Sequence, residues 1–379
     1  TAVSTPVYGK LADTIGRKPI FIFGLIVFIL GSALCGLAQN MVSLILFRVI
    51  QGLGAGAIQP VAYTIIADIY PIEKRARVLG LNGSAWGIAS IIAPLLGGFI
   101  VEQISWHWVF YLNVPIGVLT IALIAIFLRE PKKKLQSRID YLGTTFLVLF
   151  LISLMLLLQE LGAKSGMLII AGLFVVMILS AIAFVKVEQR VADPILPLDL
   201  LKNREFMGIN IVTMLISGYL IGFEFYLPMW MQGILDKPAT MAGFAVTPSS
   251  IMWIIGSFFT GNLMSRFKVQ KILYMSLGFL FVGNVLLLIA PINATFLYFC
   301  IVAAICGLGF GTSITASTVA SQMVVDAEHI GVATSFNSLV RSLGQTMMAA
   351  VFGIVFNLEV QNQLIKHPKL NHKMMNEVV

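Results

Sequence analysis

Long apolar runs follow one another along nearly the whole chain, at residues 20–38, 42–66, 78–101, 109–128, 141–160, 167–185, 207–232, 243–264, 271–290, 295–319 and 332–357. A bilayer core of about 30 Å takes about 20 apolar residues as a helix, so these read as eleven membrane spans, with residues 1–8 as the tail of another. Segments of alternating apolar and polar residues are missing, which argues against a transmembrane barrel. The 379 residues are 58% hydrophobic and only 11% charged. A soluble domain carries about 25% charged residues, and too few are present here to cover a water-facing surface. The expected fold class is an all-α polytopic membrane protein.

The net charge of +8 gains meaning from where the basic residues sit. Lys10, Arg17, Lys18, Lys74, Arg75, Arg77, Arg129, Lys132, Lys133, Lys134, Arg138, Lys186, Arg190, Lys202, Arg204, Arg266, Lys268 and Lys271 all fall on loops of one side. Only Lys164, Lys237, Lys366, Lys369 and Lys373 fall on the other. The first side is expected to be cytoplasmic, and the charge surplus sets topology without implying nucleic acid. The three cysteines, Cys35, Cys300 and Cys306, lie in apolar runs without metal-ligand spacing. The four histidines, at 107, 329, 367 and 372, also lack ligand spacing, so no metal site and no enzyme are expected.

An internal repeat divides the chain. Gly52-Leu53-Gly54-Ala55-Gly56 recurs as Gly307-Leu308-Gly309-Phe310-Gly311, and Glu73 with Glu328 and Asn82 with Asn337 keep the same offset. Gly9-Lys10-Leu11 recurs as Gly261-Asn262-Leu263 at nearly that offset. Two related helix bundles are the frame of many transporters that work by alternating access. The spans at 141–160 and 167–185 have no counterpart. The expected organisation is an N-terminal bundle at 1–128, a central helix pair with its loops at 129–206, and a C-terminal bundle at 207–379.

Polar side chains inside the spans mark the candidate site. Arg at a helix centre costs about 2.5–3.5 kcal/mol on insertion scales, so Arg48 should face protein or water. Gln51 and Gln59 share its face at helical spacing, which makes them candidates for a cavity lining, although bonding of Arg48 to backbone carbonyls is the structural alternative. Glu224 shares a face with Asn210, Thr213 and Ser217. It is either a proton or cation site or a solvated residue near the outer boundary signalled by Pro228, Trp230 and Gln232. Arg341 shares a face with Asn337, Ser338 and Gln345, as a second cavity lining or as a helix–helix anchor. Gly80, Gly83, Gly87, Pro94, Gly97 and Gly98 make one helix small-faced. Pro94 removes a backbone hydrogen bond, and this helix is either a flexible or a tightly packed interface. Trp106-His107-Trp108 reads as an interfacial anchor.

Several of these residues are similar to signatures of a known family. Gly9-Lys10-Leu11-Ala12-Asp13-Thr14-Ile15-Gly16-Arg17-Lys18 resembles the loop between the second and third helices of the major facilitator superfamily, with Thr14 where Arg is usual. Leu44, Phe47, Arg48, Gln51, Gly52 and Gly54 resemble its fourth-helix motif. Gly80, Ala89, Ala93, Pro94, Gly97 and Gly98 resemble the fifth-helix motif of its antiporters. The segment from Trp106 to Gly117 is similar to a signature of the 14-helix drug:proton antiporters of the EmrB/QacA type, and Asn337 with Arg341 resembles the thirteenth helix of that branch.

The resemblance implies a major facilitator fold of two pseudo-symmetric bundles with a central two-helix insert, present here without its first and last helices. It implies an interdomain latch on the cytoplasmic side at Gly9, Asp13, Gly16, Arg17 and Lys18, an antiporter motif at Gly80, Pro94, Gly97 and Gly98, and proton coupling at Arg48. Glu224 and Arg341 join Arg48 as expected proton-coupling residues. No Gly-x-x-x-x-Gly-Lys-Ser/Thr loop is present, so the expected energy source is the proton gradient, with no cofactor. The expected activity is export of small organic compounds, cationic or amphiphilic, by a monomer spanning a bacterial cytoplasmic membrane. A dedicated exporter of one amino acid, sugar or siderophore is the alternative.

Overall fold

The computed structural model describes residues 3–129, 140–163, 166–191, 196, 198–291, 294–326 and 329–366. Every one of them lies in a helix, a turn or a connection, and there is no strand among them. The helices are α1 (Thr5–Ile15), α2 (Arg17–Gly36), α3 (Met41–Ile69), α4 (Ile72–Gln103), α5 (Trp108–Tyr111), α6 (Asn113–Phe127), α7 (Tyr141–Ala163) and α8 (Met167–Glu188). They continue as α9 (Leu198–Lys202), α10 (Arg204–Gly233), α11 (Ala239–Phe244), α12 (Thr247–Met264), α13 (Val269–Leu288), α14 (Phe296–Met323) and α15 (Ile330–Lys366). Ten spans among them are long and apolar enough to cross a membrane.

Helices in lipid gain little from hiding apolar surface from one another, so small residues that let backbones approach decide which helices pair. In the first half, a Cβ on Gly31 would overlap the backbone of Gln51, and one on Gly54 the backbone of Phe28, which locks α2 to α3. In the second half, a Cβ on Gly307 would overlap Ser249 and one on Gly311 would overlap Trp253, which locks α12 to α14. The sequence repeat has a matching contact. Gly54 packs on Phe28 of α2, and its counterpart Gly309 packs on Leu280 of α13. The helix preceding each glycine-rich helix therefore meets it in the same way in both halves.

Two seams join the halves. α4 lies along α12, with Gly80 against the backbone of Ser257 and Phe258, and α1 lies against the start of α15. Tyr63, Leu79 and Val319 form a small apolar cluster between them. The central pair, α7 and α8, packs on itself and seats Leu147 and Leu151 against Val332 and Leu339 of α15.

A buried polar knot ties α10, α14 and α15. Asn337 donates from Nδ2 to Asn210 Oδ1 at 3.0 Å and to Thr213 Oγ1 at 3.2 Å, while Thr318 donates to Asn337 Oδ1 at 3.3 Å. Asn337 is thus an anchor rather than part of a cavity wall, because its stripe on α15 turns toward α10 and α14 at this level. Asn337→Leu leaves the buried Asn210 Oδ1 without its donor, while Thr213 and Thr318 keep their bonds to the Ile209 and Ile314 carbonyls. It is expected to destabilise the protein by about 2 kcal/mol, read as a fall of a few degrees in thermal midpoint in detergent.

Candidate functional site

A cavity of about 240 Å³ lies where α3, α4, α10, α12, α14 and α15 converge. Glu224 lines it from α10, Arg341, Ser342 and Gln345 from α15, and Gln59 and Tyr63 from α3. Ser250 and Trp253 of α12 and Thr315 and Thr318 of α14 complete the polar and aromatic wall. Arg341 Nη2 donates to Gln59 Oε1, and Gln59 Nε2 donates to Tyr63 Oη at 3.0 Å. This chain crosses from one half of the molecule to the other. It holds the guanidinium at the cavity wall, and among the described residues Glu224 supplies the one carboxylate in that lining.

Of the residues expected from sequence, Glu224, Arg341, Gln59 and Gln345 meet at this cavity. The position of Glu224 follows from α10 running unbroken through Pro228 to Gly233, which leaves the carboxylate more than two turns inside the helix end. Arg48 and Gln51 are not in the lining. They sit on the outer part of α3, about three turns before Tyr63 and Gln59 come into line. Arg48 Nη1 donates to Gln51 Oε1 at 3.2 Å and its Cζ lies 4.5 Å over the Phe110 ring, a cation–π contact, with Arg48 itself exposed. Gln51 is buried and packs beside Cys35, whose Sγ lies 3.9 Å from Gln51 Oε1. A shared helical face therefore put Arg48 and Gln59 on one stripe without putting them in one chamber.

The sequence reading missed Tyr63, Ser250, Trp253, Thr315, Thr318 and Ser342. Ser and Thr are common in membrane helices, and only the neighbours separate a hydroxyl facing a cavity from one bonded back to its own helix.

The second constellation gathers the residues expected to form a latch. α1 ends at Gly16, whose φ of 117° lies in the left-handed region, and the chain re-enters a helix at Arg17. This corner turns Arg17 inward. Its Nη2 lies 3.0 Å from Asp13 Oδ1 and its Nε 2.7 Å from Asp68 Oδ2 at the end of α3. Lys18 donates from Nζ to the carbonyls of Ala125 and Leu128 at 2.8 Å each, a cation on the C-terminal end of α6. Asp13 Oδ2 accepts from Val332 N–H at 3.0 Å, so the carboxylate caps the positive end of α15. Gly9 lies against Ser335 and Gly331 against Asp13, each so close that a Cβ would overlap its neighbour. Five expected latch residues thus converge at one corner, and Asp68 and Gly331 join them. Neither stood out in sequence, since a lone Asp or Gly carries no spacing signal. Of the expected antiporter motif, Gly80 sits on the α4–α12 seam and nothing lies within 4 Å of a Cβ on Gly97. Pro94 and Gly98 fall in α4, with surroundings outside the described residues.

The Asp13 carboxyl is pushed up to about 6, because burial outweighs the attraction of Arg17 and of the Val332 N–H. The neutral acid therefore favours the latched corner over an open, hydrated one, where the carboxyl would titrate near its ordinary 3.8. That gain is complete below the ordinary value and is gone once the pH has risen past about 6. Lowering the pH from 7.5 to 5.5 is expected to raise the latched-to-open ratio about fourfold, or ~0.8 kcal/mol. Asp13→Asn is expected to remove this dependence. Distances between spin labels on α1 and on the start of α15 measure it.

The family model of the Major Facilitator Superfamily matches residues 1–349. Multidrug resistance protein 3 of Bacillus subtilis (strain 168) is 39% identical over 362 residues, covering 95% of this chain and 70% of that one. The multidrug efflux pump SdrM of Staphylococcus aureus (strain N315) is 30% identical over 361 residues, covering 94% and 79%. In three dimensions the chain is similar to the crystal structure of the human organic anion transporter MFSD10, with a TM-score of 0.58, 15% identity, and coverage of 93% of this chain and 75% of that one. That likeness concerns the fold, which in this chain is all-helical among the described residues and crosses the membrane many times. The paired glycine helices, the α1–α15 latch and the match over residues 1–349 agree: this chain belongs to the Major Facilitator Superfamily.

Proposed function

We propose that the protein is a multidrug efflux transporter, a proton-coupled antiporter that exports small organic compounds across a bacterial cytoplasmic membrane. The observation that carries this reading is the cavity between the halves, where an acid, a guanidinium, amides and aromatic rings share about 240 Å³. Glu224 would take a proton or a cationic compound in turn. Arg341 would bias that exchange through its charge, and Trp253 and Tyr63 would stack on flat apolar surfaces. The names of the relatives support the same direction of transport.

In this reading 1–128 and 207–379 rock as two bundles, 129–206 is an insert, and the latch holds the cytoplasmic side shut while the cavity faces outward. The segment from Trp106 to Gly117 and the extra pair α7–α8 support the 14-helix branch. Arg48, with Gln51 and Phe110, would act on coupling from outside the cavity. The driving force is the proton gradient, whose electrical part supplies about 2.3 kcal/mol per charge per 100 mV.

Everted membrane vesicles bearing the protein test this with several unrelated cationic dyes, with and without a proton gradient. Gradient-dependent accumulation of more than one dye, with mutual competition, is expected. Handling of a single compound would favour a dedicated exporter, and accumulation indifferent to the gradient would end the proton reading. Glu224→Gln, which keeps shape and loses the titratable proton, is expected to lower proton-driven dye transport at least about tenfold while leaving membrane insertion unchanged.

A further inference from the structure

Among the described residues, the cavity lining holds one charge of each sign, Glu224 and Arg341, and they enter it at different heights. α10 and α15 lie side by side and run in the same direction. Asn337 bonds to Asn210 and Thr213, Gly344 lies against the backbone of Met214, and Gly222 lies against the Phe352 ring. Arg341, one turn beyond Asn337, therefore leaves α15 at about the level of Met214 on α10. Glu224 leaves α10 almost three turns farther along, on the order of 15 Å at the rise of an α-helix. Leu220 occupies the intervening stretch of α10, and Ile314 and the Trp253 ring face the same space.

Among the described residues no ion pair joins Glu224 to Arg341 or to any other cation. Arg341 gives a donor to Gln59, and a guanidinium carries five in a planar fork. Charges inside a membrane protein pair with one another or face a water-filled space. A cation entering this cavity gains Glu224 but meets the like charge of Arg341, and an anion gains Arg341 but meets Glu224. A compound with both groups, at the two ends of a flat apolar body, satisfies both charges and lays its rings on Trp253. A cavity of about 150 Å³ holds one benzene ring, so about 240 Å³ admits two fused rings.

We propose that the cavity selects amphoteric compounds, with an ammonium group for Glu224 and a carboxylate for Arg341, held apart by a flat body of two fused rings. This rests on the reading that the cavity is the transport site, and it makes Arg341 a specificity-determining residue. The carboxylate suits the guanidinium because its two oxygens match two parallel N–H groups of the fork.

The test uses the purified protein in lipid nanodiscs at neutral pH, without a gradient, and three ligands built on one two-ring body. 6-(Aminomethyl)-2-naphthoic acid carries both charges, its methyl ester only the positive one, and its N-acetyl derivative only the negative one. By isothermal titration calorimetry the amphoteric acid is expected to bind at least about tenfold more tightly than either relative. Arg341→Gln keeps an amide and removes the charge. In that variant the acid is expected to come within about twofold of the ester, and the ester to bind about two- to fivefold more tightly than to wild type, because a like charge has gone. Glu224→Gln is expected to remove the advantage over the N-acetyl derivative in the same way. Each comparison is made within one protein, so misfolding does not imitate a change of preference. Wild-type affinities for acid and ester that agree within about twofold, no saturable binding of the acid, or a full preference for the acid in Arg341→Gln would each overturn the amphoteric class. Vesicle uptake that ignores the gradient ends the proton reading and leaves these affinities untouched. An absent preference beside gradient-driven dye uptake ends this assignment alone, so the two failures are distinguishable.

Discussion

Gly331→Val is expected to leave the protein folded in the membrane but unable to close its cytoplasmic side. A Cβ at this position would overlap both carboxylate oxygens of Asp13. Neither neighbour has an easy retreat, since Asp13 is held by Arg17 and by the Val332 N–H. Overpacking of this kind costs about 1–3 kcal/mol, and here the penalty falls on the latched state alone. The latched-to-open ratio should drop about 5- to 150-fold, and efflux with it. Spin-label distances between α1 and the start of α15 would lengthen, and thermal stability in detergent would change little. A variant that latches and transports like wild type would show that contact at this corner does not hold the closed state.

Arg341→Ala is expected to bring the second large loss. The guanidinium stands at the cavity wall, shares that wall with Glu224 and reaches across the halves to Gln59. Truncation removes a cation from the cavity wall and the cross-bundle hydrogen bond to Gln59 together. A hydrogen bond to a charged group is worth about 1.5–3 kcal/mol, so proton-driven dye efflux should fall about 10-fold or more. Arg341→Lys keeps the charge but not the planar fork, and separates the two contributions. Recovery by Lys assigns the effect to charge in the cavity, whereas failure of Lys assigns it to the bond with Gln59. Transport by the Ala variant within about twofold of wild type would remove Arg341 from the mechanism.

Some elements were legible residue by residue. The apolar runs became helices near the expected positions because about 20 apolar residues in lipid have no other way to satisfy their backbone. Gly16 entered only through the family resemblance, and its φ of 117° and the corner it makes came from the structure. The α15 stripe was legible only in part. Arg341 and Gln345 reach the cavity, yet Asn337 on the same stripe turns into the knot with Asn210 and Thr213. A stripe wider than about 100° touches more than one neighbouring helix, and periodicity cannot say where one neighbour ends and the next begins. The same limit separated Arg48 and Gln51 from Gln59, because a stripe fixes a direction around a helix and leaves depth along it to the surroundings.

By itself, then, the sequence determined that this is a many-helix membrane protein and which polar residues need an explanation, and it set the expectation of which sides its loops take and that its halves repeat. Those properties depend on local composition and on spacing within one helix. Only the tertiary structure decided that Asp13 meets Val332, 319 residues away, that Gly331 must lack a side chain, and that Glu224 and Arg341 share a chamber that Arg48 does not enter. These depend on which helices approach one another and at what height. In lipid that choice is made by close backbone contact at small residues and by a few buried hydrogen bonds, and a linear pattern of greasy and polar positions does not encode it.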